Sequence, residues 1–175
     1  MIIYLKLIGI IGIPVALVVI GFNLLSNNKQ TPPKEKSKSS TKVESEPGEM
    51  SKSGFTGKVL AGSTTLLLDF KKADYNRAVS ENKIVLLYFY ANWCPICKEE
   101  FPKVISAFNE LDKPLVIGFR VNFNDNETDT DEKKLAEELG VGYQHTKVFL
   151  KNGQSVLRAI ESWDKEKYLK EITKI

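Results

Sequence analysis

From Leu7 to Leu25 the chain is apolar with a single break at Asn23. Wound as a helix, that stretch is roughly 29 Å long, close to the thickness of a bilayer's hydrocarbon core. It ends Phe22-Asn23-Leu24-Leu25-Ser26, without the small-residue pattern at which signal peptides are cut, so residues 1–25 are expected to form a retained single-pass anchor. Pro14 lies mid-span, where a membrane helix tolerates it. Residues 26–53 are Ser, Lys, Glu, Thr and Pro with almost nothing apolar, the composition of a disordered linker with a mean reach of roughly 30 Å. From residue 54 to 175 the pattern becomes one of alternating strands and helices. Thr64 to Leu68 is a short strand candidate, and Lys72 to Asn82 places Tyr75, Ala78 and Val79 on one helical face. Ile84 to Tyr90 reads as a strand buried on both sides, and Pro95 to Leu111 as an amphipathic helix. Leu115 to Asn122 is a second buried strand, followed by a short helix from Asp131 to Leu139 that Gly140 closes. Lys147 to Leu150 and Ser155 to Ile160 flank an Asn152-Gly153 turn as a hairpin, and Asp164 to Ile172 is a last helix. Parallel crossovers followed by an antiparallel hairpin predict an α/β sandwich around a mixed sheet.

Composition adjusts this picture in two places. The chain has 175 residues, 42% of them apolar, which suits one domain with appendages, and its formal charge is +3. Residues 54–175 hold 18 basic and 18 acidic side chains, so the excess belongs to the N-terminal segments and no nucleic-acid surface is indicated. Five lysines between Lys29 and Lys42 follow the apolar span and argue, through the positive-inside rule, for a cytoplasmic domain. A dedicated cysteine pair on a tether, with Glu44, Glu46 and Glu49 close behind, fits an extracytoplasmic compartment, which is the expectation adopted.

Cys94 and Cys97 are the only cysteines, three positions apart where a predicted strand becomes a predicted helix. That spacing closes a small ring and places the first sulfur at the helix N-terminus, where unpaired N–H groups and the helix dipole favour a thiolate. A thiol of pKa near 8.5 is only about 3% ionised at pH 7, and a shift to about 7 makes it roughly half ionised. Cys94 is therefore the candidate nucleophile, and Cys97, one turn deeper, the candidate resolving thiol. Pro95 suits the first helical position, having no N–H to leave unpaired. The competing reading, half of a structural zinc site, lacks a second ligand pair, because His145 is the only histidine.

Leu86 to Pro102 resembles the active-site region of the thioredoxin family: an apolar strand, Ala91-Asn92-Trp93-Cys94-Pro95-Ile96-Cys97-Lys98, then Pro102. Val121-Asn122-Phe123, Gly140-Val141 and Val148-Phe149-Leu150-Lys151-Asn152-Gly153 are similar to later parts of the same fold, so the resemblance covers roughly residues 64–175. It implies a thioredoxin-like three-layer sandwich, thiol-disulfide exchange with protein thiols or disulfides, a recycling redox partner and no cofactor. Trp93 resembles the family's motif tryptophan, which helps shape the substrate groove. Three departures stand out. His145-Thr146 occupies the place of the family's cis-proline, so His145 could tune Cys94, touch substrate or complete a Cys-Cys-His metal site. Tyr88 stands where the family has a buried carboxylate, and Arg120 where that carboxylate's lysine partner is common, so proton handling is expected to differ, with His145 a candidate for it. Pro95-Ile96 replaces Gly-Pro between the cysteines, in a region that helps set redox poise, and the direction of exchange cannot be read from it.

A second functional class is a copper-handling module on the same fold, with Cys94, Cys97 and His145 as soft-metal ligands, although such proteins usually space their cysteines by three residues. The acidic run from Asp125 to Glu132 has no glycine at its sixth position and Ala136 at its twelfth, unlike a calcium loop. It reads as a solvated insertion ending in a helix cap at Thr130 or Asp131, and Ser162-Trp163-Asp164 as the cap of the last helix.

Overall fold

The computed structural model describes residues 54–175, and the expected anchor and linker lie outside the described residues. Among the described residues no helix is long and apolar enough to cross a membrane. Strands β1 (Val59–Ala61), β2 (Leu67–Asp69), β3 (Ile84–Tyr90), β4 (Val116–Asn122), β5 (Thr146–Lys151) and β6 (Gln154–Ala159) alternate with helices α1 (Lys72–Ser80), α2 (Pro95–Glu110), α3 (Thr130–Glu138) and α4 (Lys165–Lys174). They form one mixed sheet in the order β1-β2-β4-β3-β5-β6. β2, β4 and β3 are parallel, while β1, β5 and β6 pair antiparallel with their neighbours.

Central strand β3 is apolar on both sides because successive residues feed two different cores. Val85, Leu87 and Phe89 pack with Phe119, Val121, Val148 and Leu135 in one core, together with α1 residue Ala78. Leu86 and Tyr88 pack with Phe101, Val104, Phe108, Phe149 and the α4 residues Tyr168 and Ile172 in the other. Gly118 opposes Leu86 on β4, and a Cβ there would stand 2.5 Å from the Phe108 ring, so the glycine is what lets α2 lie this close to the sheet.

Most of the expected elements are found within a few residues. β1 was not expected; its three residues are too few to show a period, and pairing with β2 defines it. β2 begins at Leu67 rather than Thr64. The cap of α3 is Asp129, in place of the expected Thr130 or Asp131: its carboxylate accepts the Glu132 N–H while the Glu132 side chain accepts the Asp129 N–H. This reciprocal box satisfies two otherwise unpaired donors, which a cap one or two residues later could not share with Glu132. Asp164 caps α4 as expected, accepting the Lys167 N–H. Asn152 and Gly153 both have positive φ, 53° and 73°, the conformation that two-residue hairpin turns require.

Candidate active site

The chain leaves β3 at Tyr90, and Ala91-Asn92-Trp93 carries it to the N-terminus of α2. Cys94 is the N-cap residue, extended at φ −79° and ψ 114°, and its sulfur accepts the Cys97 N–H at 3.2 Å. One of the unpaired donors of the helix start is thus aimed at Cys94 Sγ, a bond that strengthens as the sulfur gains charge. Pro95 occupies the first turn, where its missing N–H costs nothing. Both cysteines are free thiols, Cys94 3% exposed and Cys97 fully buried. Burial, and after it the hydrogen bond with Cys94, pushes the Cys97 thiol up to about 12. The two sulfurs are therefore unequal: one at a donor-rich helix end, the other held protonated beneath it.

Trp93 and Ile96 are each about half exposed and flank the pair. The loop before Trp93 is clamped by the acidic segment: Asp125 accepts the Asn92 N–H at 2.9 Å, Asn126 accepts the Asn92 side-chain amide, and the Asn124 carbonyl accepts the Trp93 indole N–H at 2.9 Å. That segment is largely exposed, as expected of a solvated insertion, and it also fixes the approach to Cys94.

His145 lies beside the end of β3: its N–H donates to the Phe89 carbonyl at 2.6 Å, and Thr146 pairs with Phe89. It is 7% exposed with φ +67°, in the left-handed region that few residues other than glycine adopt. Thr146 is buried, and its hydroxyl is spent on the Tyr143 carbonyl. The imidazole points into the molecule. Nδ1 meets the Tyr88 hydroxyl at 3.2 Å, and Nε2 meets Glu100 Oε2 at 2.8 Å and the Ser162 hydroxyl at 3.2 Å. Among the described residues no group of three His, Cys, Asp or Glu side chains is placed to hold a metal ion.

Sequence reasoning missed Glu100. It is a carboxylate that reaches the interior beside Tyr88 from α2 and is 1% exposed. Its partners are Lys147 Nζ at 3.1 and 3.4 Å, the Trp163 N–H at 3.0 Å, the Tyr168 hydroxyl and His145. Burial by itself would raise its pKa; hydrogen bonds from His145 and Tyr168, the Lys147 charge and the Trp163 N–H outweigh it and hold the carboxyl below its ordinary value. Lys147 is fully buried opposite Tyr88, and burial lowers its pKa against the pull of Glu100. Arg120 takes no part in this cluster; it pairs with Asp69 at 2.8 Å and lies over the rings of Tyr90 and Phe101. The buried acid–lysine pair of this chain thus joins α2 to β5.

The thioredoxin family profile matches residues 51–174. The chain belongs to the thioredoxin family. Thioredoxin H4 of Arabidopsis thaliana is 35% identical over 85 residues, which are 46% of this chain and 62% of that protein. Protein disulfide-isomerase A4 of Bos taurus is 31% identical over 93 residues, 51% of this chain and 13% of the bovine protein, so the chain spans only a minor part of that relative. Among solved structures, Trxlp from Edwardsiella tarda superposes with a TM-score of 0.52 at 25% identity, covering 60% of this chain and 96% of that one. This thioredoxin-family domain therefore carries its C-x-x-C pair at the helix start, with a rearranged polar interior behind it.

Proposed function

We propose that the protein is a membrane-tethered thiol-disulfide oxidoreductase acting on protein thiols or disulfides, with Cys94 the nucleophile and Cys97 the resolving thiol. The observation that carries this reading is the inequality of the two sulfurs, Cys94 capping α2 and accepting the Cys97 N–H, Cys97 buried beneath it. In the reducing direction Cys94 thiolate attacks a substrate disulfide, forming a mixed disulfide and releasing one substrate thiolate. Cys97 then loses its proton and attacks Cys94 Sγ, the bond to the substrate sulfur breaks, and the electron pair leaves with that sulfur. Substrate gains two electrons and the Cys94–Cys97 pair loses them; a redox partner returns them, and the same steps reversed oxidise a dithiol. Trp93 and Ile96 offer the exposed apolar surface on which an extended substrate segment would rest.

Cys94→Ser is expected to abolish reduction of insulin disulfides, and Cys97→Ser to trap substrates as mixed disulfides on Cys94. Retention of full exchange activity by Cys94→Ser would overturn the reading. The potential of the pair decides the direction, about −270 mV marking a reductant and about −120 mV an oxidant. The tether rests on the apolar run from Leu7 to Leu25, and an extracytoplasmic domain on the cysteine pair and the acidic residues after the lysines. Recovery of the full-length chain in the membrane fraction, with Lys side chains of residues 54–175 labelled by an impermeant reagent on intact cells, is the expected result.

A further inference from the structure

Ala91 to Cys94 is a β-turn: the Cys94 N–H donates to the Ala91 carbonyl at 3.1 Å, and Asn92 and Trp93 are its two central residues. Such a turn leaves the N–H of its first central residue without a partner inside it, and a half-buried donor is costly to leave unpaired. Asp125 supplies the partner. Its Oδ2 accepts the Asn92 N–H at 2.9 Å, while its Oδ1 accepts the Glu127 N–H at 3.0 Å and the Thr128 hydroxyl at 2.8 Å. Thr128 Oγ accepts the Asp125 N–H at 2.9 Å in return, so the carboxylate is held from both sides and faces the turn in one orientation. The residues beside Asp125 complete the junction: Asn126 Oδ1 accepts the Asn92 side-chain amide at 2.6 Å, and the Asn124 carbonyl accepts the Trp93 indole N–H at 2.9 Å. All of these bonds to the turn end on Asn92 or Trp93.

Cys94 has a support of its own. Its place as N-cap and the bond its sulfur accepts from the Cys97 N–H belong to the start of α2. The reactivity of the sulfur and the orientation of the neighbouring indole are therefore fixed by different parts of the chain. Trp93 is 53% exposed with its N–H edge tied down, a rigid aromatic surface of the kind that anchors a polypeptide at low entropic cost. A small disulfide needs only the sulfur of Cys94, whereas a disulfide within a protein brings flanking residues that rest on the indole. We propose that Asp125 is a positioning residue for protein substrates: by fixing the Ala91–Cys94 turn it holds Trp93 to receive the chain around a substrate disulfide, and so makes the site selective for protein over small-molecule disulfides. This rests on the assignment of Cys94 as nucleophile. Loss of the carboxylate leaves the attacking sulfur in place and frees Asn92 and Trp93, which a bound polypeptide must then order at the expense of its own affinity.

The test compares two disulfides on the full-length protein. One is insulin, with dithiothreitol as the electron source; the other is hydroxyethyl disulfide, whose reaction with the reduced protein is followed by acid quench and a count of the remaining thiols. Asp125→Ala should lower kcat/KM for insulin about 10-fold, through KM with kcat little changed, and leave the hydroxyethyl disulfide rate within about threefold of the wild type. Trp93→Ala should lose at least as much on insulin. Adding Asp125→Ala to it should cost less than about twofold more, because a residue that acts through Trp93 then has nothing left to position. An insulin loss under about threefold in Asp125→Ala, an equal loss on both disulfides, or losses that multiply in the double variant would each overturn the proposal. So would a wild type that reacts with hydroxyethyl disulfide and not with insulin. Should Asp125→Ala lose its near-ultraviolet circular dichroism, Asp125→Asn decides by the same criteria: one amide oxygen cannot serve the Asn92 N–H together with the Glu127 and Thr128 donors, so the junction breaks at constant size. A wild type that hydroxyethyl disulfide fails to oxidise would instead defeat the assignment of Cys94, so the two failures are separable.

Discussion

The two faces of the sheet bury acids for opposite purposes. On the side of α1 and α3 the core is aliphatic and aromatic, and its buried acids lie at the margins holding backbone: Asp74 accepts the N–H groups of Thr56 and Gly57, and Glu132 those of Asn122 and Asp129. On the side of α2 and α4, Glu100 sits inside the core and three of its partners, Lys147, Tyr168 and His145, are themselves titratable. A backbone N–H cannot change its charge, so the first arrangement is static; a cluster of titratable side chains can redistribute a proton. The cysteine pair stands over the second face, whose interior pays for that capacity with charges that must remain paired.

The largest effect that separates the faces is expected at Glu100. Glu100→Met leaves Lys147 charged and unpaired in the interior and should cost about 3–5 kcal/mol of stability, and adding Lys147→Met should return most of that loss. Phe119→Ala on the opposite face should cost a similar amount, about 3–5 kcal/mol, through its cavity, with no polar change able to restore it. Urea unfolding of the four proteins measures both, and Phe119→Ala should leave reduction of insulin disulfides by the folded protein unaltered. A Glu100→Met, Lys147→Met protein no more stable than Glu100→Met would remove the distinction.

A smaller effect follows from pH. Glu100 has its carboxyl below the ordinary 4.5, so its contribution is complete above that value and is lost as pH falls through the lower folded value. Cys97 has the opposite sense: held up at about 12 from 9.0, it contributes below pH 9.0 and loses that contribution as pH rises toward 12. Melting curves are expected to show the acid limb flattened in the Glu100→Met, Lys147→Met protein and the alkaline limb flattened in Cys97→Ala. Limbs that match the wild type would detach these groups from the stability of their face.

How much of this was legible follows from how far apart in sequence the parts are. β3, α2 and the cysteines read directly, because seven consecutive apolar residues and a contiguous motif hold all the information. Glu100 was hidden in Lys98-Glu99-Glu100, which looks like a solvated helix start, although the spacing of Cys97, Glu100, Phe101, Val104 and Phe108 is that of one buried helical stripe. Lys147 could have been found by parity, since it shares a strand face with Phe149, which packs on α2 and α4. What no local pattern holds is the meeting of α2, β3, β5 and the α4 cap at one point, which depends on the strand order. His145 was singled out for its place opposite the cysteines, yet its inward direction, with contacts to Tyr88, Glu100 and Ser162, is written in no local pattern.

The smallest expected effect tests whether the static face is in fact static. Asp129 caps α3 through a reciprocal box with Glu132, and Glu132 also accepts the Asn122 N–H at the end of β4, so one carboxylate joins helix start to strand end. Asp129→Ala removes the cap and should cost about 1 kcal/mol, read as a lower urea midpoint with an unchanged slope. Because Asn124, Asp125 and Asn126 lie between that strand end and the cap and hold Asn92 and Trp93, the loss could loosen the approach to Cys94. The bonds from Asp125 to Thr128 and Glu127 close that loop on itself, independently of Asp129. Reduction of insulin disulfides by Asp129→Ala is therefore expected to stay within about threefold of the wild type, as for substitutions outside the reacting groups. A larger drop would mean that the acidic segment and the helix cap behave as one unit, and that the face assigned to scaffold also sets the position of the nucleophile.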